Sequence, residues 1–412
     1  MTKKLKVGII GAGAAGITAA IFISRFGGEV FLFEQLDRVG KKILATGNGR
    51  CNMTNTGIDI SRFHGENPKF AFSALKEFSS YDSMDFFHEL GVLCKEEDGG
   101  KVYPYSDQAS SVLDVLRYEL ESQGIKERVL TTIEKVSKTD KGFVLLSSTK
   151  EKFLVDKVVI ATGGKSSPKL GSKGIGYKIA KDLGHSIINP VPALVQLKLD
   201  YENLKAIKGV KFIGNAAIIS QGKTIKEYDG EILFTDYGIS GPPILQLSRT
   251  AMFAYNNEET PYIKVDMFKD LNYEEFMSLI KERLSTANNK PIDFALIGLI
   301  NKKLIPIVLK DAGIINLKKL CKDISKKEIE SLCKILKGWT FKISGCTGWE
   351  FSQVTAGGVN VKEVNPKTLE SKIIKGLFFA GEVLDIDGDC GGFNLQWAWS
   401  SGYLVANNIF HD

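Results

Sequence analysis

Lys6-Val7-Gly8-Ile9-Ile10-Gly11-Ala12-Gly13-Ala14-Ala15-Gly16 is the stretch that decides the fold of this chain. A short apolar run suited to a buried parallel strand leads directly into G-x-G-x-x-G. A helix of small and apolar residues is expected over 14–26, then a second strand, Val30-Phe31-Leu32-Phe33, that ends on Glu34 and Gln35. Each part has a physical task. Gly11 permits the tight turn, Gly13 lets the backbone approach a diphosphate, and Gly16 lets the helix pack close to the strand. The diphosphate would then sit on the free N–H groups of Ala14 and Ala15, at the positive end of the helix dipole. Glu34 lies 18 residues beyond Gly16, placed to accept hydrogen bonds from a ribose diol. Strand, turn, helix, strand and acid together imply an adenine dinucleotide.

NAD and FAD share that fingerprint because both contain ADP. The far end of the chain separates them. Leu377-Phe378-Phe379-Ala380 reads as another buried strand and delivers Gly381-Glu382 to the carboxyl edge of the sheet. Gly391-Gly392 then opens a helix running to Ala406, with Phe393, Asn394 and Leu395 in its first turn. A helix N-terminus aimed at the pyrimidine edge of a flavin would stabilise negative charge on the reduced ring, and Glu382 would bond the ribityl chain. Between the two ends, Lys157-Val158-Val159-Ile160 runs into Ala161-Thr162-Gly163-Gly164, a third strand-to-turn of the same kind. FAD is therefore the expected cofactor. No second G-x-G-x-x-G is present, since Gly171, Gly174 and Gly176 have the wrong spacing. That argues against a separate NAD(P)H domain but allows NAD(P)H to dock over the flavin as electron donor.

Four further blocks carry a resemblance. They are Gly40-Lys41-Lys42 through Gly49-Arg50-Cys51-Asn52-Met53-Thr54-Asn55, Phe234-Thr235-Asp236-Tyr237-Gly238-Ile239-Ser240-Gly241-Pro242, Val354-Thr355-Ala356-Gly357-Gly358-Val359, and the C-terminal segment above. Over almost the whole chain the sequence resembles the YhiN/BaiN-like flavoproteins, a family that includes aminoacetone oxidase-like enzymes. The resemblance implies that Lys42 and Gly49-Arg50-Cys51-Asn52 lie along the flavin and its phosphates. It also implies amine oxidation or, through the BaiN branch, reduction of unsaturated steroid ketones.

Composition sets bounds. At 412 residues the chain is long enough for two or three domains. With 43% apolar and 25% charged residues it has an ordinary globular balance. The net charge of +6 is spread over pairs such as Lys302-Lys303, Lys318-Lys319 and Lys326-Lys327, which read as solvated helix faces. A small-molecule substrate is expected, with no nucleic-acid partner. Lys3-Lys4 before an apolar stretch superficially resembles a secretory signal, but the glycines interrupt it and complete the dinucleotide fold. No membrane span is indicated and a cytoplasmic location is expected. The six cysteines form no C-x-x-C pair, the four histidines read as isolated, and no metal-ligand spacing occurs. Cys51 and Cys390 are set beside the flavin by their motifs and read as small packing residues.

The expected architecture is α/β: a discontinuous Rossmann-type FAD-binding domain (1–190 with 345–412), an inserted antiparallel, barrel-like β domain (191–270 with 337–344), and a small helical insertion (271–336). Short alternating runs at 196–199, 210–213, 216–219, 231–234 and 262–265 suggest the β domain, with Pro190 and Pro192 at its hinge. Helices are expected over 273–286, 294–303 and 326–336, then a closing strand at 339–343. In the first domain 70–90 and 110–123 read as amphipathic helices, and 128–136 with 142–147 as a strand pair in which Ile133 offers its backbone to adenine. The pattern names no general acid or base: Asp236, Tyr237 and Glu350 read as surface or hydrogen-bonding residues. Two activities follow from the cofactor, reduction of an unsaturated ketone by NAD(P)H or oxygen-dependent amine oxidation, and a flavin-bearing sensor without turnover is the third reading.

Overall fold

The computed structural model describes residues 4–411, and they divide into two compact units, Met1–Val191 with Gln353–Asp412 and Pro192–Ser352. In the first, Lys6–Ile10 is the middle strand of a five-stranded parallel sheet. The order is Leu377–Phe379, Lys157–Ile160, Lys6–Ile10, Glu29–Phe33, Lys126–Arg128. Val7, Ile9, Leu32, Val158, Val159 and Phe378 are buried, as strands covered on both faces require. The chain leaves Lys6–Ile10 for Glu29–Phe33 on one side and reaches Lys157–Ile160 on the other. This reversal is a topological switch point, and Gly11, Glu34 and Ala161 emerge from it at the carboxyl edge.

One face of the sheet carries helix Ala14–Arg25, against which the C-terminal helix Phe393–Asn408 packs. Their approach depends on glycine: a Cβ on Gly402 would stand 2.6 Å from the Ala15 carbonyl oxygen. The other face carries a three-stranded antiparallel sheet, Ile133–Thr139, Gly142–Ser147 and Lys152–Val155. Leu145 fills the space above Gly8, and the Phe33 and Phe153 rings meet edge to face at 4.8 Å. The stretch expected as one helix over 70–90 is two, Phe72–Glu77 and Ser80–Glu89. Phe78 caps the end of the first, and Ser79 starts the second with a capping box, its N–H donating to the Asp82 carboxylate at 2.7 Å.

The second unit is built on a closed barrel of six antiparallel strands: Leu197–Asp200, Gly238–Ser240, Lys223–Phe234, Lys211–Ser220, Tyr262–Asp266 and Trp339–Cys346. Trp339, Phe341 and Phe234 cluster in its interior. The separate runs read at 210–213 and 216–219 are one ten-residue strand, and its partner extends back to Lys223. The polar residues of 223–230 hid that extension, because one face of the hairpin is solvated. A helix absent from the expectation, Pro242–Asn256, follows Gly241, with prolines in its first turn where no N–H is needed. The helix expected over 294–303 does not form. A short helix Ile292–Ala295 ends before Gly298, which takes φ +81°, and another, Ile305–Asp311, restarts with Pro306 in its first turn. Helices Tyr273–Thr286 and Lys326–Gly338 begin with the capping boxes of Asn272/Glu275 and Ser325/Glu328. The latter is tied to the barrel by Lys337 and Asp266 at 2.6 Å. Among the described residues no helix is long and apolar enough to cross a membrane.

Candidate dinucleotide site

Three strand ends and two helix starts converge at the carboxyl edge of the parallel sheet. Gly11 takes φ +101°, and a Cβ there would stand 2.5 Å from the Ala161 carbonyl oxygen and 2.7 Å from the Thr162 Cα. The first turn is thus pressed directly against the second fingerprint. A Cβ on Gly16 would land on the Gly11 carbonyl oxygen. Gly13 is different: it has ordinary extended dihedrals, and nothing lies within 4 Å of where its Cβ would be. Gly13 caps helix Ala14–Arg25 without a side chain, so the first-turn N–H groups of Ala14 and Ala15 have neither an intrahelical acceptor nor a side-chain cap. An open face before uncapped amides is the shape a diphosphate requires.

Glu34 sits at the mouth of this turn. Its carboxylate accepts from the Ala12 N–H at 3.1 Å and the Leu36 N–H at 2.9 Å, and burial raises its pKa above the ordinary carboxylate range. Gln35 donates its side-chain amide to the Gly171 carbonyl. Leu130 and Thr131 pair with the backbone of Leu36 and Glu34, which brings Ile133, buried at the start of its strand, to the same end of the sheet.

Glu382 is more than a single acceptor. Its Oε1 accepts from the Thr355 N–H (2.8 Å) and the Ser166 hydroxyl (2.9 Å), and its Oε2 from the Lys42 ammonium (3.0 Å). Lys42 also donates to Ser166 Oγ at 2.6 Å, and Thr355 Oγ1 accepts from the N–H groups of Lys165 and Ser166. The carboxylate joins four segments that are remote in sequence. Gly381 holds it in place with φ +75° and abuts Ala15, where a Cβ would be 2.8 Å away. Ser166 and Thr355 were not recognised as site residues in the sequence, although Ser166 lies two residues beyond Gly163-Gly164 and Thr355 lies inside a quoted block. Beside this network the Tyr177 hydroxyl is buried without a hydrogen-bond partner, and burial pushes its pKa well up.

The loop 47–52 approaches the start of the C-terminal helix. With its amide oriented to satisfy its neighbours, the Asn52 oxygen accepts from the Gly392 N–H at 3.2 Å and its nitrogen donates to the Thr54 carbonyl at 3.0 Å. Gly392, at φ +99°, is the uncapped N-cap of helix Phe393–Asn408. Asn394 folds back: its amide accepts from the Gly388 N–H and donates to the Gly388 carbonyl, each at 2.8 Å, fixing the loop ahead of the helix. Phe393 is buried and Leu395 half-buried against the core. Gly49 takes φ +86° and opens on empty space.

Two motif residues make their contacts within the protein. The Arg50 guanidinium is engaged by Glu97 and Asp107 and lies 4.0 Å over the Tyr103 ring, so its charge is matched by acids of the neighbouring hairpin. Cys51 is fully buried at φ +62°, and desolvation pushes its thiol up to about 12. It is a packing residue in chemical terms. Asp236 is paired with Lys208 at 2.6 Å, and Tyr237 and Glu350 are exposed. The histidines are not all isolated, which corrects the sequence reading. His64 Nε2 lies 2.7 Å from Asp389 Oδ1, and His185 Nε2 lies 2.9 Å from the Ser371 hydroxyl. Both contacts join segments more than 180 residues apart, beyond the reach of spacing rules.

The HI0933-like protein Rossmann domain matches residues 5–408 of this chain. The chain is 40% identical over 403 residues to the 3-dehydro-bile acid delta(4,6)-reductase of Clostridium scindens, covering 97% of this chain and 98% of that protein. It is 32% identical over 409 residues to the ribosomal RNA dihydrouridine synthase of Haemophilus influenzae, covering 97% of each. Among solved structures, the 3-ketosteroid-delta4-(5alpha)-dehydrogenase from Rhodococcus jostii RHA1 aligns with all of this chain and 98% of its own at 13% identity, with a TM-score of 0.48. The chain belongs to the HI0933-like family and is an FAD-dependent oxidoreductase built on a Rossmann-type domain.

Proposed function

We propose that this enzyme saturates a carbon–carbon double bond conjugated to a carbonyl, taking electrons from NAD(P)H and using a small, steroid-like unsaturated ketone as acceptor. The observation that carries the reading is the 40% identity, over nearly the full length of both chains, to a reductase whose name specifies a 3-ketone and ring double bonds. The rRNA relative fits the same chemistry. Making dihydrouridine saturates the 5,6-bond of uracil, which is likewise conjugated to a carbonyl. The two relatives differ in what they present to the flavin, and the ketone is favoured here by the higher identity.

The chain's residues divide the work as follows. The open face of Gly13 and the amides of Ala14 and Ala15 take the diphosphate, Glu34 the adenosine ribose, and the Ile133 backbone the adenine. Ala161, Thr162 and Gly163 close the turn beside them. Gly381 and the Lys42–Ser166–Glu382 network line the path of the ribityl chain. Gly49 and Asn52 hold the loop against Gly392, and the first-turn amides of Phe393, Asn394 and Leu395 stabilise charge at the pyrimidine edge. Arg50 and Cys51 support that loop by ion pairing and packing. When bound, FAD carries two electrons as hydride between donor and acceptor.

Anaerobic mixing of the flavin-loaded protein with NADH and NADPH tests the reading through the visible flavin absorbance. Bleaching by one of them, followed by reoxidation with a 3-keto-4-ene steroid, is expected. Bleaching by aminoacetone instead, with peroxide formed on readmitting air, would replace it with the oxidase. Reoxidation by a uridine-containing rRNA fragment, but by no ketone, would move the acceptor to RNA.

A further inference from the structure

Saturating a conjugated double bond needs a proton as well as a hydride, and no residue assigned above supplies one. From the contacts around the C-terminal helix start we infer that His64, oriented by Asp389, is the proton donor; this rests on the reductase reading. His64 belongs to a short strand, Phe63–His64, that pairs antiparallel with Asp387–Gly388, immediately before the Gly391-Gly392 turn. Its Nε2 lies 2.7 Å from Asp389 Oδ1, and Asp389 is buried. The other oxygen of the carboxylate accepts from Arg62 Nη1 at 3.1 Å. The backbone is fixed as well: the Asp389 N–H donates to the Arg62 carbonyl at 2.9 Å, and the Asp389 carbonyl accepts from Asn394 Nδ2 at 3.2 Å.

Geometry then fixes the roles. The Asp389 carboxylate, held on its other oxygen by Arg62, faces Nε2 and fixes the orientation of the imidazole ring. Nδ1 is left over, and among the described residues nothing bonds to it. The His64 side chain is 19% exposed, while Asp389 at 4% is shielded. Arg62 and Phe63 both lie on Phe393, with the guanidinium 5.6 Å from that ring and the two rings 6.0 Å apart. The dyad is thus braced on the first turn of the helix proposed to face the flavin.

Reduced FAD, when bound, would supply the hydride for the new bond at the β-carbon. The π pair of the double bond passes to the α-carbon as enolate, which takes the proton from His64 Nδ1. The imidazole regains a proton from water. One hydride and one proton are added, and the ketone is regenerated.

The test isolates the acceptor half of the cycle. Flavin-loaded wild type, His64→Gln and Asp389→Asn are reduced anaerobically with dithionite and mixed with a 3-keto-4-ene steroid in D2O. Glutamine keeps a donor toward Asp389, and an unchanged flavin spectrum reports an intact site. Reoxidation is expected to fall about 100-fold or more in His64→Gln and about 10-fold in Asp389→Asn, the range for loss of a general acid. Wild type should place deuterium at the α-carbon on one face, and His64→Gln on both. If wild type reacts and His64→Gln matches it in rate and stereochemistry, the inference is overturned while the reductase reading stands. If wild type is reoxidised by no unsaturated ketone, the reductase reading fails and the inference with it.

Discussion

Replacing Gly13 with alanine separates the two tasks a dinucleotide fingerprint performs, folding and binding. Nothing lies within 4 Å of a Cβ built at Gly13, and its φ of −84° is open to any residue. Alanine makes a poorer N-cap than glycine, but it restricts the unfolded chain by about 0.4–1 kcal/mol, so the two effects offset. The apoprotein should keep its stability to within about 1 kcal/mol, a melting shift of roughly 3 °C or less for a domain of this size. The new methyl group instead fills the space before the Ala14 and Ala15 amides. Losing one hydrogen bond to a charged phosphate costs about 1.5–3 kcal/mol, so FAD should bind roughly 10- to 100-fold more weakly. Gly16→Ala is the contrasting case, because its Cβ falls on the Gly11 carbonyl oxygen. There the apoprotein itself should lose about 1–3 kcal/mol, the usual cost of overpacking. Circular dichroism melting of both apoproteins and fluorescence titration with FAD read the two quantities separately. Wild-type affinity in Gly13→Ala would refute the assignment of that face to the diphosphate, and so would a melting loss as large as that of Gly16→Ala.

Glu382→Gln takes the anionic oxygens from Lys42, Ser166 and the Thr355 N–H, and urea unfolding should show a loss of about 1–3 kcal/mol; no loss would mean that the network is not structural. Lys319 and the Ser325 N–H hold the Glu328 carboxyl down at about 2. A carboxyl lowered on folding contributes stability above its unfolded pKa, and that contribution fades as pH falls from about 4.5 to about 2. Because both side chains are only half-buried, solvent screening limits it to less than about 1 kcal/mol. Glu328→Gln, which can still cap the helix, should therefore be slightly less stable than wild type at pH 7 and equal to it near pH 2; a constant gap across that range would contradict the linkage. With its thiol pushed up to about 12 and no exposed surface, Cys51 should escape iodoacetamide at pH 8 in the folded protein, while exposed Cys390 is labelled. Mass spectrometry of tryptic peptides before and after unfolding checks this, and early labelling of Cys51 would contradict its assignment as a packing residue.

The parallel sheet and the glycine turn at its carboxyl edge were legible because their determinants are local. An unbroken apolar run means a strand buried on both faces, and glycines at 11, 13 and 16 have spacing that serves a turn, an open face and a close helix contact. Capping boxes at Asn272 and Ser325 marked helix starts for the same reason, since each is complete within four residues. The barrel was legible only in part. The solvated half of the Lys211–Phe234 hairpin has no apolar alternation, and helix Pro242–Asn256 lies among runs that read as strand.

Sequence by itself determined the strand, glycine turn and helix that open this chain and the strand that joins them from its C-terminal end, because backbone turns and strand burial are written in neighbouring residues. Tertiary structure alone decided what the charged groups around them do. Lys42, Ser166, Thr355 and Glu382 form one network, and His64 meets Asp389 across more than 300 residues of chain. Such pairings follow from the sheet order and the packing of two helices, and no local spacing encodes which distant side chain a folded backbone will bring within hydrogen-bonding distance.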